Sequence, residues 1–262
     1  MDLNQKMSLV FALESFPIFW ILKFVSLSSR CWKIENPLRF FFLTPLISVA
    51  SWEKSKPRDR FDYMVILRKT SFYVLILCLV SAVEWKISDG WRTPYWLSGY
   101  LAGPMVLLIG EIVSRLTQLI SLLSGRMIPD FHVMPLLSKN LPEFWGRRWN
   151  TWVSDWFREV IGRRITHCPK TGLFFVFFLS GLAHEVMFNL PYQLLSGNQP
   201  VYGTMLAYYL IQFVGMVLDR AWFAEKKDHA FRCFFGWIVI IAPCPLMLTP
   251  VVLRILHLWP SV

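Results

Sequence analysis

The chain has 262 residues, of which 55% are hydrophobic and 17% charged, and its formal net charge is +10. A soluble domain carries about 25% charged residues, so this composition, with a mean hydropathy of +0.45, excludes an ordinary water-soluble core and points to a lipid bilayer. The positive charge clusters in stretches between apolar runs, as in a membrane protein, so the expected partners are membrane lipids and phosphate-bearing substrates rather than nucleic acid.

A membrane-crossing helix needs about 20 mostly apolar residues. In chain order the candidates are residues 8–28, 37–50, 63–83, 95–123, 171–195, 201–218 and 234–256. The first contains Glu14 and Lys23, and the second is short enough to be tilted or re-entrant. Glu14 interrupts the apolar stretch after Lys6 and no small-residue cleavage pattern follows, so an uncleaved span is expected rather than a signal peptide. The expected fold is an all-α integral membrane bundle of about 6–8 transmembrane helices with one amphipathic interfacial helix. Without an internal repeat or low-complexity tract, residues 1–262 read as a single membrane domain.

The loops between these segments alternate in charge. Residues 52–69 carry Lys54, Lys56, Arg58, Arg60, Arg68 and Lys69. Residues 123–170 carry Arg126, Lys139, Arg147, Arg148, Arg158, Arg163, Arg164 and Lys170, and residues 220–232 carry Arg220, Lys226, Lys227 and Arg232. The intervening loops, 84–94 and 196–200, contain only Lys86 and Arg92. The positive-inside rule puts the three basic loops on the cytosolic side. The five cysteines, Cys31, Cys78, Cys168, Cys233 and Cys244, form no CxxC pair and read as free thiols.

The long interruption before the fifth segment is rich in Trp and Arg. Asn140, Pro142 and Glu143 have the pattern of a helix start: a capping side chain, an early proline and an acid three residues after the cap. Beyond it Trp145, Trp149, Trp152, Trp156 and Val160 recur at spacings of 4, 3, 4 and 4. That spacing predicts one face of a helix, and with Arg147, Arg148, Arg158, Arg163 and Arg164 beside it, a helix lying in the membrane interface. Read alone, it can be a simple anchor, and Asn150 at its border a polar edge residue.

Residues 171–195 then enter the membrane. His184 follows Thr171 by thirteen residues, about 20 Å along a helix, well inside a hydrocarbon core of about 30 Å. An ionisable residue at that depth faces protein or a wet cavity. Ser180, Gly181 and Ala183 are small enough to leave room beside the ring or admit a second helix. The bland alternative is a hydrogen bond to a neighbouring helix. His184 and Glu185 lack the second histidine of a zinc protease motif, so no metal site is expected. The remaining histidines, His132, His167, His229 and His257, lie near segment ends and read as interfacial or structural. No GxSxG elbow, Walker A or GxGxxG loop is present. Ser180 lies one turn before His184, which makes a poor nucleophile–base pair without an acid to orient the ring.

Two blocks carry a resemblance. Phe144-Trp145-Gly146-Arg147-Arg148-Trp149-Asn150 and Ser180-Gly181-Leu182-Ala183-His184-Glu185 resemble motifs of the membrane-bound O-acyltransferases, and most closely their wax synthase-like branch. The resemblance is specific over residues 141–189. It implies a bundle of membrane helices around a reaction chamber, a catalytic histidine matching His184 and a motif asparagine matching Asn150. It also implies an acyl-CoA co-substrate, a hydroxyl-bearing acceptor and no permanently bound cofactor.

In this reading His184 removes the acceptor's proton as a general base. Asn150 binds the developing oxyanion or positions the thioester. Trp145, Arg147, Arg148, Trp149, Arg163 and Arg164 form the candidate acyl-CoA site, the arginines toward its phosphates. Glu185 and Ser180 are supporting residues. The acceptor can be a long-chain alcohol, a sterol or a specialised small-molecule alcohol, with acetyl or a longer chain as the acyl group. A transporter or proton relay through His184 and Glu185 is the reading from another class. The expected location is the endoplasmic reticulum in a eukaryote and the plasma membrane in a bacterium.

Overall fold

The computed structural model describes residues 3–29, 34, 36–88, 94–162, 168–223 and 229–255. The elements are helices α1 (Leu3–Ser29), α2 (Pro37–Leu43) and α3 (Val49–Glu53), strand β1 (Lys56–Pro57), helices α4 (Asp62–Ser88) and α5 (Tyr95–Ser121), and strand β2 (Arg126–Met127). They continue with α6 (Leu141–Glu143), α7 (Thr151–Phe157), α8 (Pro169–Ser196), α9 (Thr204–Phe223), α10 (His229–Ile241), α11 (Cys244–Met247) and α12 (Pro250–Ile255). Among the described residues the chain is all-α apart from the two short strands.

Four stretches among the described residues are long and apolar enough to cross a membrane: Asp62–Ala82, Trp96–Ser124, Pro169–Ser196 and His229–Met247. This is fewer than the number of apolar segments in the sequence, for identifiable reasons. The first segment forms α1, but only Pro17–Ser29 is a strongly apolar helix. Residues 37–50 form no span, because α2 and the start of α3 are separated by non-helical residues 44–48. Of residues 201–218, those from Thr204 onward belong to α9, one face of which packs against protein, with Gln212 and Asp219 at 0% exposure. The last segment does reach span length, as His229–Met247, although its helical course is divided into α10, α11 and α12 in a stretch that holds Pro243, Pro245 and Pro250, each of which lacks a helix-bonding N–H.

Lys23 sits at 0% exposure in α1. Its ammonium donates to the Thr44 carbonyl at 2.5 Å and lies 4.9, 5.1 and 5.0 Å from the ring centres of Phe19, Trp20 and Phe40. A cage of π faces offsets part of the cost of burying the charge.

The basic segments meet at one end of the bundle. Strands β1 and β2 pair antiparallel, Lys56 opposite Met127, which ties the loop before α4 to the loop after α5. Arg126 donates to the Ser55 hydroxyl and carbonyl and lies over the Trp52 ring. At the same end Cys233 of α10 reaches the Ser138 carbonyl, and Arg220 at the end of α9 lies beside Cys168 and Lys170. Loop charge and packing agree.

Residues 141–162 do not form the continuous interfacial helix that the Trp spacing predicts. Asn140 does cap α6, its side chain accepting from the Glu143 N–H at 2.8 Å. A π-helical turn, Phe144–Arg148, follows. The chain then turns at Asn150, whose φ is 40°, before α7 and a second π-helical turn at Arg158–Gly162. Nor do the tryptophans form a lipid-facing stripe. Trp152 is buried with Phe40, Leu46 and Trp52. Trp156 Nε1 donates to the Leu22 carbonyl at 2.8 Å, and Trp152 Nε1 to the Pro129 carbonyl at 3.1 Å.

Two carboxylates fasten this segment to the N-terminal helices. Asp155 accepts from Ser51 and Lys54, and from Arg158 of its own segment. Glu159 accepts from Ser26, Ser48 and the Ala50 N–H. On the opposite side Leu141 is wholly buried and its backbone lies against Gly236 of α10. A Cβ there would stand 3.0 Å from the Leu141 nitrogen.

Candidate active site

Helices α8 and α9 pack along each other, and Gly181 allows a close approach. A Cβ at Gly181 would lie 2.8 Å from Leu206 Cα and 3.2 Å from Tyr209 Cβ. Three and four residues further on, His184 and Glu185 occupy the same face of α8, and both reach α9.

His184 is partly buried. Its Nδ1 lies 2.7 Å from the Ser180 carbonyl oxygen. A carbonyl can only accept, so Nδ1 carries the proton of the neutral ring and Nε2 presents the lone pair. The Tyr209 hydroxyl lies 3.1 Å from Nε2 and is therefore the donor. The two rings are 4.9 Å apart. The ring thus engages the Ser180 carbonyl, and the serine hydroxyl takes no part in that contact.

Glu185 is 4% exposed. Its Oε1 accepts from the backbone N–H groups of Met205 and Leu206 at 2.7 and 3.1 Å, and its Oε2 from Asn189 Nδ2 at 2.6 Å. Those N–H groups belong to the first turn of α9, where they have no intrahelical partner and where a negative charge is favoured by the helix dipole. Glu185 therefore caps α9 from the neighbouring helix and does not turn toward the imidazole.

Tyr209 is held in an aromatic cluster with Trp145, Phe177 and Tyr208, the ring centres 5.9, 6.4 and 5.5 Å away. Trp145 Nε1 donates to Gln212 Oε1 at 3.1 Å, and Gln212 Nε2 donates to the Val239 carbonyl at 2.7 Å. The Trp-rich segment therefore reaches the His184 site through Trp145, which stacks edge-on against Phe177 of α8.

Asn150 starts the next helix of that segment. Its left-handed backbone is a conformation asparagine adopts more readily than most residues, and its Oδ1 accepts from the Val153 N–H at 3.2 Å as the cap of α7. Among the described residues its Nδ2 has no hydrogen-bond partner, and Asn150 and His184 do not bond each other. Residues 129–133 run alongside: the Val133 N–H donates to the Arg148 carbonyl, and Thr151 donates to the Phe131 and Asp130 carbonyls.

Residues 129–207 match the model of the Membrane bound O-acyl transferase family. This stretch of the chain is therefore similar to that family. Two relatives are similar over longer ranges. A protein of Arabidopsis thaliana, the Probable long-chain-alcohol O-fatty-acyltransferase 7, is 34% identical over 166 residues, covering 59% of this chain and 46% of its own length. The Long-chain-alcohol O-fatty-acyltransferase of Simmondsia chinensis is 33% identical over 104 residues, covering 36% of this chain and 28% of its own length. The chain thus spans less than half the length of either relative.

The matched stretch contains Trp145, Asn150, His184 and Glu185 and ends before Tyr209 and Gln212, and the arginines within it differ in their surroundings. Arg148 is engaged: it donates to Glu143 at 2.7 Å and to the carbonyls of Val133 and Met134. The Lys139 N–H also donates to Glu143, and with the Arg148 charge it holds this carboxyl below the ordinary carboxylate range. Arg147 is exposed and has no hydrogen-bond or ion-pair partner among the described residues. Arg163 and Arg164 lie outside the described residues. Trp149 stacks on Phe144, ring centres 5.7 Å apart, and on His132 at 4.3 Å. His132 is 2% exposed, and among the described residues neither ring nitrogen has a partner. Burial, with the Arg115 charge, lowers its pKa to about 4, so the ring is neutral at physiological pH.

Tyr209 and Gln212 were not evident as site residues from sequence. They lie in an apolar run on another helix, and only the α8–α9 crossing brings them to His184. That crossing is testable. A Gly181→Ala methyl would press on backbone, which cannot yield as a flexible side chain can, and such overpacking costs about 1–3 kcal/mol. The expected result is a lower melting temperature in detergent together with reduced turnover, because Tyr209 is displaced from His184. An unchanged melting temperature would contradict the tight crossing.

Proposed function

We propose that the protein transfers an acyl group from acyl-CoA to the hydroxyl of a long-chain alcohol or a related lipid alcohol, with His184 as general base. The observation that carries this reading is the setting of the His184 ring: Nδ1 lies 2.7 Å from the Ser180 carbonyl oxygen, which leaves Nε2 as the basic nitrogen, facing Tyr209 and its aromatic cluster. The matched family model and the names of the two relatives support the reaction class.

In the reaction the acceptor O–H proton is taken up at Nε2 while its oxygen attacks the thioester carbonyl. Collapse of the tetrahedral intermediate breaks the C–S bond, and the CoA thiolate recovers the proton. Asn150 Nδ2, without a hydrogen-bond partner among the described residues, is an amide donor suited to a thioester or oxyanion oxygen. Arg147, exposed, supplies a cation for a CoA phosphate. Lys170 and Arg220, both exposed, line a cavity of about 340 Å³ at the basic end and offer two further cations.

The test is incubation of membranes containing the protein with labelled acyl-CoA and a panel of long-chain alcohols, sterols and small alcohols. Labelled ester with the long-chain alcohols is expected. Its absence with every acceptor would overturn the assignment. Within that assay Arg147→Ala should raise the KM for acyl-CoA about threefold to tenfold with kcat little changed, as loss of a binding contact does. A change in the acceptor's KM alone would remove Arg147 from the donor site.

A further inference from the structure

The lone pair of His184 that a base requires is already occupied by the Tyr209 hydroxyl. An acceptor alcohol must either displace that hydroxyl or act through it. Displacement requires Tyr209 to move, and three features hold it in place. Gly181 brings the α8 backbone against the turn of α9 that carries it. Glu185 clamps the Met205 and Leu206 N–H groups one turn before it. Its ring is 6% exposed and packed among Trp145, Phe177 and Tyr208. A phenol can accept one proton while donating another.

We propose that Tyr209 is a proton relay between the acceptor hydroxyl and His184, and that Glu185 is the residue that positions it. This rests on the acyl-transfer reading above. As the acceptor oxygen forms its bond to the thioester carbonyl carbon, its proton passes to Tyr209 Oη and the phenolic proton passes to His184 Nε2. The C–S bond then breaks, the same path returns the proton to the CoA thiolate, and tyrosine and imidazole end neutral. No group beyond the two substrates is consumed.

The experiment compares wild type, Tyr209→Phe, Glu185→Gln and His184→Ala in membranes, normalised to folded protein. Each is assayed with a long-chain alcohol and with its 2,2-difluoro analogue, whose hydroxyl is more acidic. Loss of a proton-transfer group costs about 10²–10⁴-fold. For Tyr209→Phe, kcat is expected to fall about a hundredfold with the plain alcohol and about tenfold with the fluorinated one, the acceptor's KM changing little. Glu185→Gln should show the same dependence on acceptor acidity, more weakly. Tyr209→Phe turnover within twofold of wild type, or an equal loss with both alcohols, overturns the relay. If His184→Ala abolishes turnover in that same experiment, the acyl-transfer reading survives the loss of the relay. If His184→Ala retains turnover, the reading itself fails.

Discussion

Replacing His184 with alanine should lower acyl transfer by about a thousandfold or more, within the range lost with an acid–base group, while the protein still inserts and accumulates. The imidazole's structural contribution is small beside that loss. Its Nδ1 bond is to the carbonyl of Ser180, inside its own helix. Only the Tyr209 hydroxyl loses a partner from another helix, and leaving such a group unsatisfied costs about 1–3 kcal/mol. His184→Gln separates the two effects. Its carbonyl can accept from Tyr209 but cannot carry a proton at neutral pH, so melting should recover while turnover does not. Recovery of turnover in His184→Gln would remove the imidazole from the chemistry.

The largest stability effect is expected at Arg232. Asp219 on α9 is at 0% exposure, and Arg232 on α10 meets it with two nitrogens, the closest contact 2.6 Å. Removing one partner of a buried ion pair leaves an uncompensated charge and costs about 3–5 kcal/mol. Arg232→Ala should therefore melt well below wild type in detergent. Removing both charges, Arg232→Met with Asp219→Asn, should restore most of the loss. If the single variant melts like wild type, this pair is not what joins α9 to α10. Because α9 also carries Tyr209 and Gln212, activity should fall with stability in the single variant and return with it in the double one.

Much of this arrangement was legible in the sequence. The apolar runs that became α4, α5 and α8 stand out by length, and the helix start at Asn140 by its Pro142 and Glu143. The gathering of basic loops at one end followed from their alternation along the chain. The small residues before His184 allowed either room beside the ring or a close helix approach, and at Gly181 it is the approach that occurs. What failed was the inference of a single helix from the Trp spacing. A 3.6-residue period says which residues share a face but not that the backbone is continuous. The break lies at Asn150, a residue type that tolerates positive φ, and that side chain became a cap for α7. Lys23 looked anomalous in an apolar span until three aromatic rings, one of them from α2, closed around it. Tyr209 and the true partner of Glu185 were illegible for a different reason. One is a tyrosine in an apolar run, and the other is a pair of backbone N–H groups, which no side-chain pattern encodes.

The most direct test of the account couples two readouts in one reaction: labelled ester formed and CoA thiol released when wild-type and His184→Ala membranes receive the same acyl-CoA and long-chain alcohol. The account predicts ester and thiol in equal amounts from the wild type and neither above background from the variant. Equal ester formation by the two proteins would contradict it.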